Sequence, residues 1–93
     1  MRYRTALGEV IREERLAQNA NQRKLSTKGI ISIGYLSEVE RGQKEISSEL
    51  LEGVAFGLGL EAYELVIRAG LKMAGHTIPD TAEELLDTAL AVR

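Results

Sequence analysis

Residues 21–42 read NQRKLSTKGIISIGYLSEVERG and contain the pattern from which the rest of the chain can be interpreted. Asn21 is a favourable N-cap residue and predicts a short helix from Gln22 to Lys28. Glycine enters a left-handed or tight turn without a Cβ penalty, so Gly29 is expected to stop this helix. The segment therefore begins with a helix and a tight turn.

A second short helix is predicted after this turn. Ser32 is expected to cap it, and it should run through about Arg41 and end at Gly42. At 100° per residue, Leu36 and Val39 fall on one side, which can be buried. The opposite side consists of small or hydrogen-bonding residues and one isoleucine, namely Ile33, Gly34, Ser37, Glu38 and Arg41. A helix with such an outer face fits the major groove of DNA, which is about 12 Å wide.

Both ends of this two-helix unit offer groups that bind phosphate. At the start of its first helix, the Gln22 amide and the free backbone N–H groups can hold an anion. Past its second helix, Arg41, Gln43 and Lys44 can follow the other side of a DNA backbone. Two helices joined by a tight turn are typical of a helix-turn-helix. Spacing alone leaves open a generic helical bundle with the same hairpin.

The rest of the chain is also helical in its periodicity, and no strand signal remains. Two further helices are predicted at roughly residues 5–18 and, after a Ser47 cap, at residues 48–58. A fifth is predicted near residues 61–69 and could extend toward Ala74. A sixth should begin after Asp80, because Glu83 follows Asp80 at the spacing of a capping box. Gly53 and Gly57 are spaced as G-x-x-x-G, which permits close packing, expected here on the first or fifth helix. We therefore expect an all-α fold.

Residues 21–42 resemble, without a gap, the form T-Q-x-x-L-A-x-x-x-G-V-S-x-x-Y-I-S-x-I-E-R-G of the XRE family, the lambda-repressor-like (Cro/cI) helix-turn-helix domains. The resemblance covers about residues 5–68, and residues 34–51 are similar to the actinobacterial Clp gene regulator subgroup. The turn glycine stands one position early, at Gly29, with Ile30 where the family prefers glycine. The resemblance implies a five-helix lambda-repressor-like DNA-binding domain, over residues 1–70. Residues 75–93 do not match the family, and the pattern of residues 71–93 predicts a linker and an additional C-terminal amphipathic helix.

The same resemblance implies a role for each matching residue. The residues expected to face DNA base edges are Ser32, Ile33, Gly34, Ser37 and Glu38. The residues expected to contact phosphates are Gln22, Arg23, Arg41, Gln43 and Lys44. Arg15 and Glu40 occupy positions that form a partly buried ion pair in lambdoid relatives. For Glu38 a solvent-facing role stays open, and for Ile33 half-burial against the preceding helix does.

Composition excludes several classes of chemistry. The chain has 93 residues, 44% of them apolar and 28% charged, which is typical of one globular domain. It has no cysteine and a single histidine, His76, so thiolate catalysis, disulfides and a cysteine- or histidine-based metal site are excluded. No nucleophile–base pair or acid dyad can be assembled. We therefore expect no enzyme, no cofactor and no metal, and a cytoplasmic chain without a signal segment.

Charge is unevenly distributed along the chain. The net charge is −2, with Lys and Arg concentrated before residue 46 and acidic residues after it. A basic half favours an anionic partner, and double-stranded DNA fits the helix-turn-helix. The alternative is that short charged helices carry positive and negative residues in an uneven order that has no functional meaning. The sequence accordingly favours a sequence-specific transcription factor.

The predicted sixth helix has an apolar stripe that must be covered. The stripe comprises Ala82, Leu85, Leu86, Ala89 and Leu90. Helix-turn-helix proteins usually bind DNA as two copies, so we expect a homodimer through helices five and six on a palindromic operator. Intramolecular packing of this helix stays open. The alternative function is a protein-interaction module, in which the acidic half holds a toxin, a protease component or an RNA polymerase subunit.

Overall fold

The computed structural model describes residues 1–91, and this part of the chain contains six α-helices and no strand. The helices are α1 (Tyr3–Ala17), α2 (Gln22–Gly29), α3 (Ile33–Glu40), α4 (Ser48–Leu58), α5 (Ala62–Met73) and α6 (Ala82–Ala91). The expected all-α architecture of five helices and a C-terminal helix is confirmed. None of the described helices combines the length and apolar character needed to span a bilayer.

Side-chain caps set the start of α2, α3 and α4 as the sequence predicts. The side chains of Asn21, Ser32 and Ser47 accept hydrogen bonds from backbone N–H groups in the first turns of their helices. These bonds satisfy donors that have no partner inside a helix. The cap of α6 differs from the prediction, because Thr81 Oγ1 accepts from the Glu84 N–H at 3.2 Å. The prediction that Asp80 caps α6 is therefore wrong by one residue, because Thr81 is the capping residue.

The core lies where α1 packs on α3 and α5 and where α2 packs on α4. Its buried members are Ala6, Leu7, Val10, Ile11, Leu25, Ile31, Leu36, Val39, Val54, Ala55, Leu58, Leu65 and Ala69. Because α3 contributes only Leu36 and Val39 to this cluster, one narrow side of α3 anchors it. The other side is left outward.

The turn between α2 and α3 is formed differently from the sequence prediction. Gly29 is the last helical residue of α2, and Ile30 holds the left-handed conformation with φ 52° and ψ 52°. The Ser26 hydroxyl donates to the carbonyl of Ile31, and the Ser26 carbonyl accepts from the Ile31 N–H. These two hydrogen bonds tie the turn back onto α2. The prediction that Gly29 supplies the left-handed residue is therefore wrong, although a tight turn forms at the expected place.

Gly29 serves close packing instead of the turn. A Cβ on Gly29 would lie 3.0 Å from the carbonyl oxygen of Gly53, and a Cβ on Gly53 would overlap the carbonyl oxygen of Gly29. Gly57 likewise faces α2, because its added Cβ would lie 2.8 Å from Leu25 Cδ1. The expectation that Gly53 and Gly57 pack on the first or fifth helix is therefore wrong, because both pack on α2. Their close approach fixes the distance between α2 and α4.

The C-terminal helix docks on the rest of its own chain. Leu85 is fully buried, and the Arg68 guanidinium on α5 donates to the carbonyls of Pro79 (3.2 Å) and Asp80 (3.0 Å) just before α6. Arg68 also lies 3.3 Å from a carboxylate oxygen of Glu14 on α1. The proposed division after residue 70 falls inside α5. The prediction that Leu85 contacts a second chain is therefore wrong, because its own chain covers it completely.

Candidate nucleic-acid interface

The outward face of α3 is open to solvent. Ser32, Ile33 and Gly34 are exposed, with Ile33 45% accessible, and Ser37 and Glu38 are half-buried. A Cβ on Gly34 would meet no atom within 4 Å. All five residues expected to face bases thus lie in the first two turns of one helix or at its cap. Gly34 is the second residue of α3, and no contact inside the protein requires a glycine there.

Two serines of this face already make hydrogen bonds inside the protein. Ser32 Oγ accepts from the Tyr35 N–H at 3.1 Å, and Ser37 Oγ accepts from Arg41 Nη1. A hydroxyl has one donor and two acceptor sites, so each serine can still donate to a base or phosphate. Arg41 Nη2 also lies 3.3 Å from Gln43 Oε1. Ser37, Arg41 and Gln43 therefore form one hydrogen-bonded array past the middle of α3.

The predicted phosphate-binding residues lie at both ends of the helix pair. Arg23 is exposed on the first turn of α2, and Arg41, Gln43 and Lys44 are exposed at and beyond the C-terminus of α3. Within the described residues, none of the three cations forms an ion pair. Their charges are therefore available to an anion. This placement is compatible with a DNA backbone on either side of α3.

A buried network holds α2 and α3 onto α1. Arg15 Nε and Nη2 donate to the two carboxylate oxygens of Glu40, each at 2.8 Å, and Arg15 Nη1 donates to the Ala20 carbonyl at 2.9 Å. Gln22 Nε2 donates to Glu40 Oε1 at 3.1 Å. The hydrogen bond to Glu40 raises the pKa of the Arg15 guanidinium. Because its amide bonds the pair, the Gln22 side chain is fixed at the start of α2 and retains one N–H for a phosphate.

Two other cations of α2 point elsewhere. Lys24 and Lys28 line a small depression beside Gln18 and Leu58, on the flank of α2 opposite Ser26. Ser26 is the residue that contacts the turn leading into α3. Lys24 and Lys28 are therefore not brought together with the predicted phosphate-binding residues, and only part of the basic character of residues 1–45 lies on the predicted DNA-binding surface.

A second exposed surface lies on α5, a helix that the sequence predicts to take part in a dimer but for which no contact residues were named. Tyr63 (42% accessible), Val66 (40%) and Met73 (43%) fall on one side of α5, and Gly70 lies among them. A Cβ on Gly70 would meet no atom within 4 Å. The recurrence of apolar residues at three- and seven-residue spacing around Gly70 was the available signal. We call Tyr63, Val66, Gly70 and Met73 the α5 face.

Across residues 1–91, no three histidine or acidic side chains are grouped so that they could hold a metal ion. The exposed face of α3, the polar and basic groups at the two ends of the α2–α3 pair and the glycine-tightened contact of α2 with α4 define a helix-turn-helix domain.

Comparison with known proteins agrees with this class. The chain matches the helix-turn-helix family profile over residues 11–65. It is 44% identical over 71 residues to the transcriptional regulator ClgR of Mycobacterium tuberculosis, an alignment that covers 76% of this chain and 63% of that regulator. The chain therefore spans less than two thirds of the length of this curated relative.

Solved structures show the same similarity. The clp gene regulator ClgR from Corynebacterium glutamicum matches with a TM-score of 0.76 and 39% identity, covering 97% of this chain and 92% of that chain. The restriction-modification controller protein C.AhdI from Aeromonas hydrophila matches with a TM-score of 0.65 and 31% identity, covering 67% and 94% respectively. The chain belongs to the XRE-type helix-turn-helix family, whose members are DNA-binding domains and not enzymes. The resemblance to Clp gene regulators is confirmed.

Proposed function

We propose that this chain is a sequence-specific transcriptional regulator that binds a palindromic operator as a homodimer. The observation that carries the proposal is the outward face of α3, which is uncovered and has phosphate-binding groups at both ends. Relatives named as transcriptional regulators support it. By the same similarity, genes of the Clp proteolytic system are the proposed targets, and the cytoplasm is the proposed location.

Each residue on the outward side of α3 has a distinct proposed role in the major groove. The Glu38 carboxylate accepts from cytosine N4, and Ser37 donates to or accepts from a base edge. Ile33 packs on a thymine methyl group. Gly34 lets the helix backbone approach the bases, which accounts for a glycine with no neighbour inside the protein. Each good base contact discriminates by about 1–3 kcal/mol.

Phosphate contacts set register and salt dependence rather than sequence preference. The proposed contacts are made by Gln22, Arg23, Arg41, Gln43 and Lys44. Each Lys or Arg that neutralises a phosphate releases counterions, so affinity falls as salt rises. Because the Gln22 amide is hydrogen-bonded to buried Glu40, the start of α2 is held in place before DNA arrives.

The proposed dimer uses α5 and α6. The α5 face is apolar and exposed, and Gly70 permits another helix to approach closely at its centre. On α6, Ala89 is exposed, and Leu86 (42%) and Leu90 (85%) are accessible, whereas Leu85 is not available. A two-fold axis through such a patch buries it against its own copy. Binding to a palindromic operator requires that this dimer hold its two α3 helices about 34 Å apart, one on each half-site.

Selection from a pool of random-sequence duplexes tests the proposal. The protein should enrich one short inverted repeat whose half-sites are separated by about one helical turn, 10–10.5 base pairs. Enrichment of a single, non-repeated site would contradict the dimer and leave DNA reading intact. Absence of any enriched sequence at low salt, with the protein folded by circular dichroism, would contradict the proposed function.

A second candidate role, contact with a protein partner through the acidic half, is favoured by one observation. Phe56 is 79% exposed and shares one side of α4 with the exposed carboxylates of Glu49 and Glu52. An exposed aromatic ring flanked by acidic groups suits a basic partner segment. Phe56→Ser should alter transcription in a reconstituted assay without changing operator affinity. Unchanged transcription would contradict this role.

A further inference from the structure

A groove runs between the start of α1, the segment joining α3 to α4, and the exposed side of α5. Its volume is about 340 Å³, against about 30 Å³ for the depression beside Lys24. Ligand sites in proteins begin at about 300 Å³, so this groove has room for a small organic molecule. The proposed DNA-binding dimer uses Lys44 and Val66 of its lining but assigns no ligand to the groove.

The floor of the groove is apolar. Leu7 and Val39 are almost fully buried beneath it, and Ile46, Leu51 and Val66 complete the lining. An aliphatic or aromatic group placed there would remove this surface from water, and burial of apolar area is favourable in proportion to that area. The floor therefore suits the apolar part of a ligand.

The rim of the groove is charged and polar. Arg4 and Lys44 lie on it with Glu45, and none of these three groups forms an ion pair within the described residues. The carbonyl of Glu45 accepts from the Tyr35 hydroxyl at 2.8 Å, which fixes the loop on that side. Burial raises the pKa of the Tyr3 phenol, so Tyr3 is a neutral O–H donor at physiological pH. The rim thus carries two cations, one anion and a hydroxyl donor.

We propose that this groove binds a small amphipathic carboxylate, with its apolar chain on the floor and its carboxylate paired with Arg4 and Lys44. The excess of positive charge on the rim selects an anion over a cation, because an ammonium group would face two cations and only one carboxylate. Charge-assisted hydrogen bonds to a carboxylate are stronger than neutral ones. The apolar floor selects a carboxylate with a chain over acetate.

Binding in the groove is coupled to DNA through Lys44. The same ammonium group is assigned to a phosphate in the DNA complex, so a carboxylate paired with it weakens DNA binding. By linkage, DNA weakens carboxylate binding by the same factor. This coupling rests on the proposed function, whereas the groove itself does not.

Nuclear magnetic resonance titration of the whole chain with octanoate tests the site. Octanoate is kept below its micelle-forming concentration. Saturable shifts are expected at Leu7, Val39, Ile46, Leu51 and Val66. Octylammonium and acetate, the matched probes for charge and chain, should bind more weakly. Arg4→Gln should weaken octanoate binding by at least about threefold, because a charged hydrogen bond is lost. Arg12→Gln, an exposed arginine of α1 away from the groove, is the control and should leave it unchanged.

Three results would overturn the proposal. They are absence of saturable shifts with octanoate, equal binding of octylammonium, and equal effects of Arg4→Gln and Arg12→Gln. A fourth such result is a shift of Leu7, Val39, Ile46 and Leu51 on raising protein concentration without ligand, which would assign the groove to a second copy. Val66 is left out of this control because it belongs to the α5 face of the proposed dimer. In parallel, octanoate should lower the affinity for the selected duplex, measured by fluorescence anisotropy. If the protein binds octanoate and no duplex, the proposed function fails and the groove stands.

Discussion

Ile30 holds a conformation that β-branched residues rarely adopt, with φ 52° and a side chain that is 86% exposed. The left-handed region costs a non-glycine residue about 1–2 kcal/mol. Little burial offsets this cost, because the side chain lies largely in solvent. Ile30 is therefore a site of local strain in the middle of the helix-turn-helix.

Replacing Ile30 by glycine should stabilise the fold. Relief of about 1–2 kcal/mol of strain exceeds the added entropy of the unfolded chain, about 0.4–1 kcal/mol. The expected net gain is about 0.5–1 kcal/mol, a rise of a few degrees in the unfolding midpoint, measured by circular dichroism. Ile33→Gly, at a helical position three residues on, is the control and should destabilise. Equal destabilisation by both changes would contradict the account of the turn.

The Arg15–Glu40 pair is the other feature at this scale, and it should behave as a coupled unit. Removing one partner of a buried pair costs about 3–5 kcal/mol, because it leaves an unpaired buried charge. Glu40→Leu and Arg15→Met should each destabilise by this order in urea unfolding. The double variant should lose less than their sum. Exposed Glu13, which lies 3.1 Å from Lys72, is the control, and its removal should cost under about 1 kcal/mol. Strict additivity of the two buried changes would contradict the coupling.

At the scale of elements, the sequence predicts what is local and misses what depends on packing. The caps at Asn21, Ser32 and Ser47 follow from the few residues around each helix start. The role of Gly29 depends on its contact with Gly53 of α4, more than twenty residues further along the chain. A glycine needed for close approach was therefore interpreted as a turn residue. Leu85 was assigned to a partner for the same reason, because its cover comes from a different part of the fold.

The α2–α4 contact should tolerate no side chain at Gly53. Gly53→Ala places a Cβ against the carbonyl oxygen of Gly29, which is backbone and cannot move aside alone. We expect destabilisation of about 1–3 kcal/mol, typical of overpacking, in thermal unfolding. Gly34→Ala is the matched control, because its Cβ meets nothing and alanine favours the helix. It should stabilise the free protein slightly and weaken DNA binding. Equal stability of the two variants would contradict the packing role of Gly53.

At the scale of the whole molecule, the candidate site divides into a predicted and an unpredicted part. The outward residues of α3 follow from helical periodicity once Leu36 and Val39 are buried, and the structure leaves them open. The α5 face and the groove could not be derived from periodicity alone, because both depend on which sides of α1, α4 and α5 remain uncovered after folding.

The proposed dimer makes Gly70 a sensitive position. Gly70→Glu adds a charge where two α5 helices are expected to meet, so sedimentation equilibrium should show the wild type as a dimer and the variant as a monomer. The variant should remain folded, since a Cβ at this position contacts nothing in its own chain. Ala17→Glu, an exposed position of α1, adds the same charge as a control and should stay dimeric. A Gly70→Glu protein that remains dimeric would contradict the interface.

The whole account depends on α3 reading bases, which is measured as the ratio of affinities for the selected duplex and for an unrelated duplex. Ser37→Ala combined with Glu38→Ala should lower this ratio by about 10- to 100-fold, as expected for the loss of one or two base contacts. Lys44→Ala should weaken both duplexes alike, keep the ratio, and reduce the salt slope by about 1. If the double variant keeps the wild-type ratio while both variants remain folded, α3 does not read sequence.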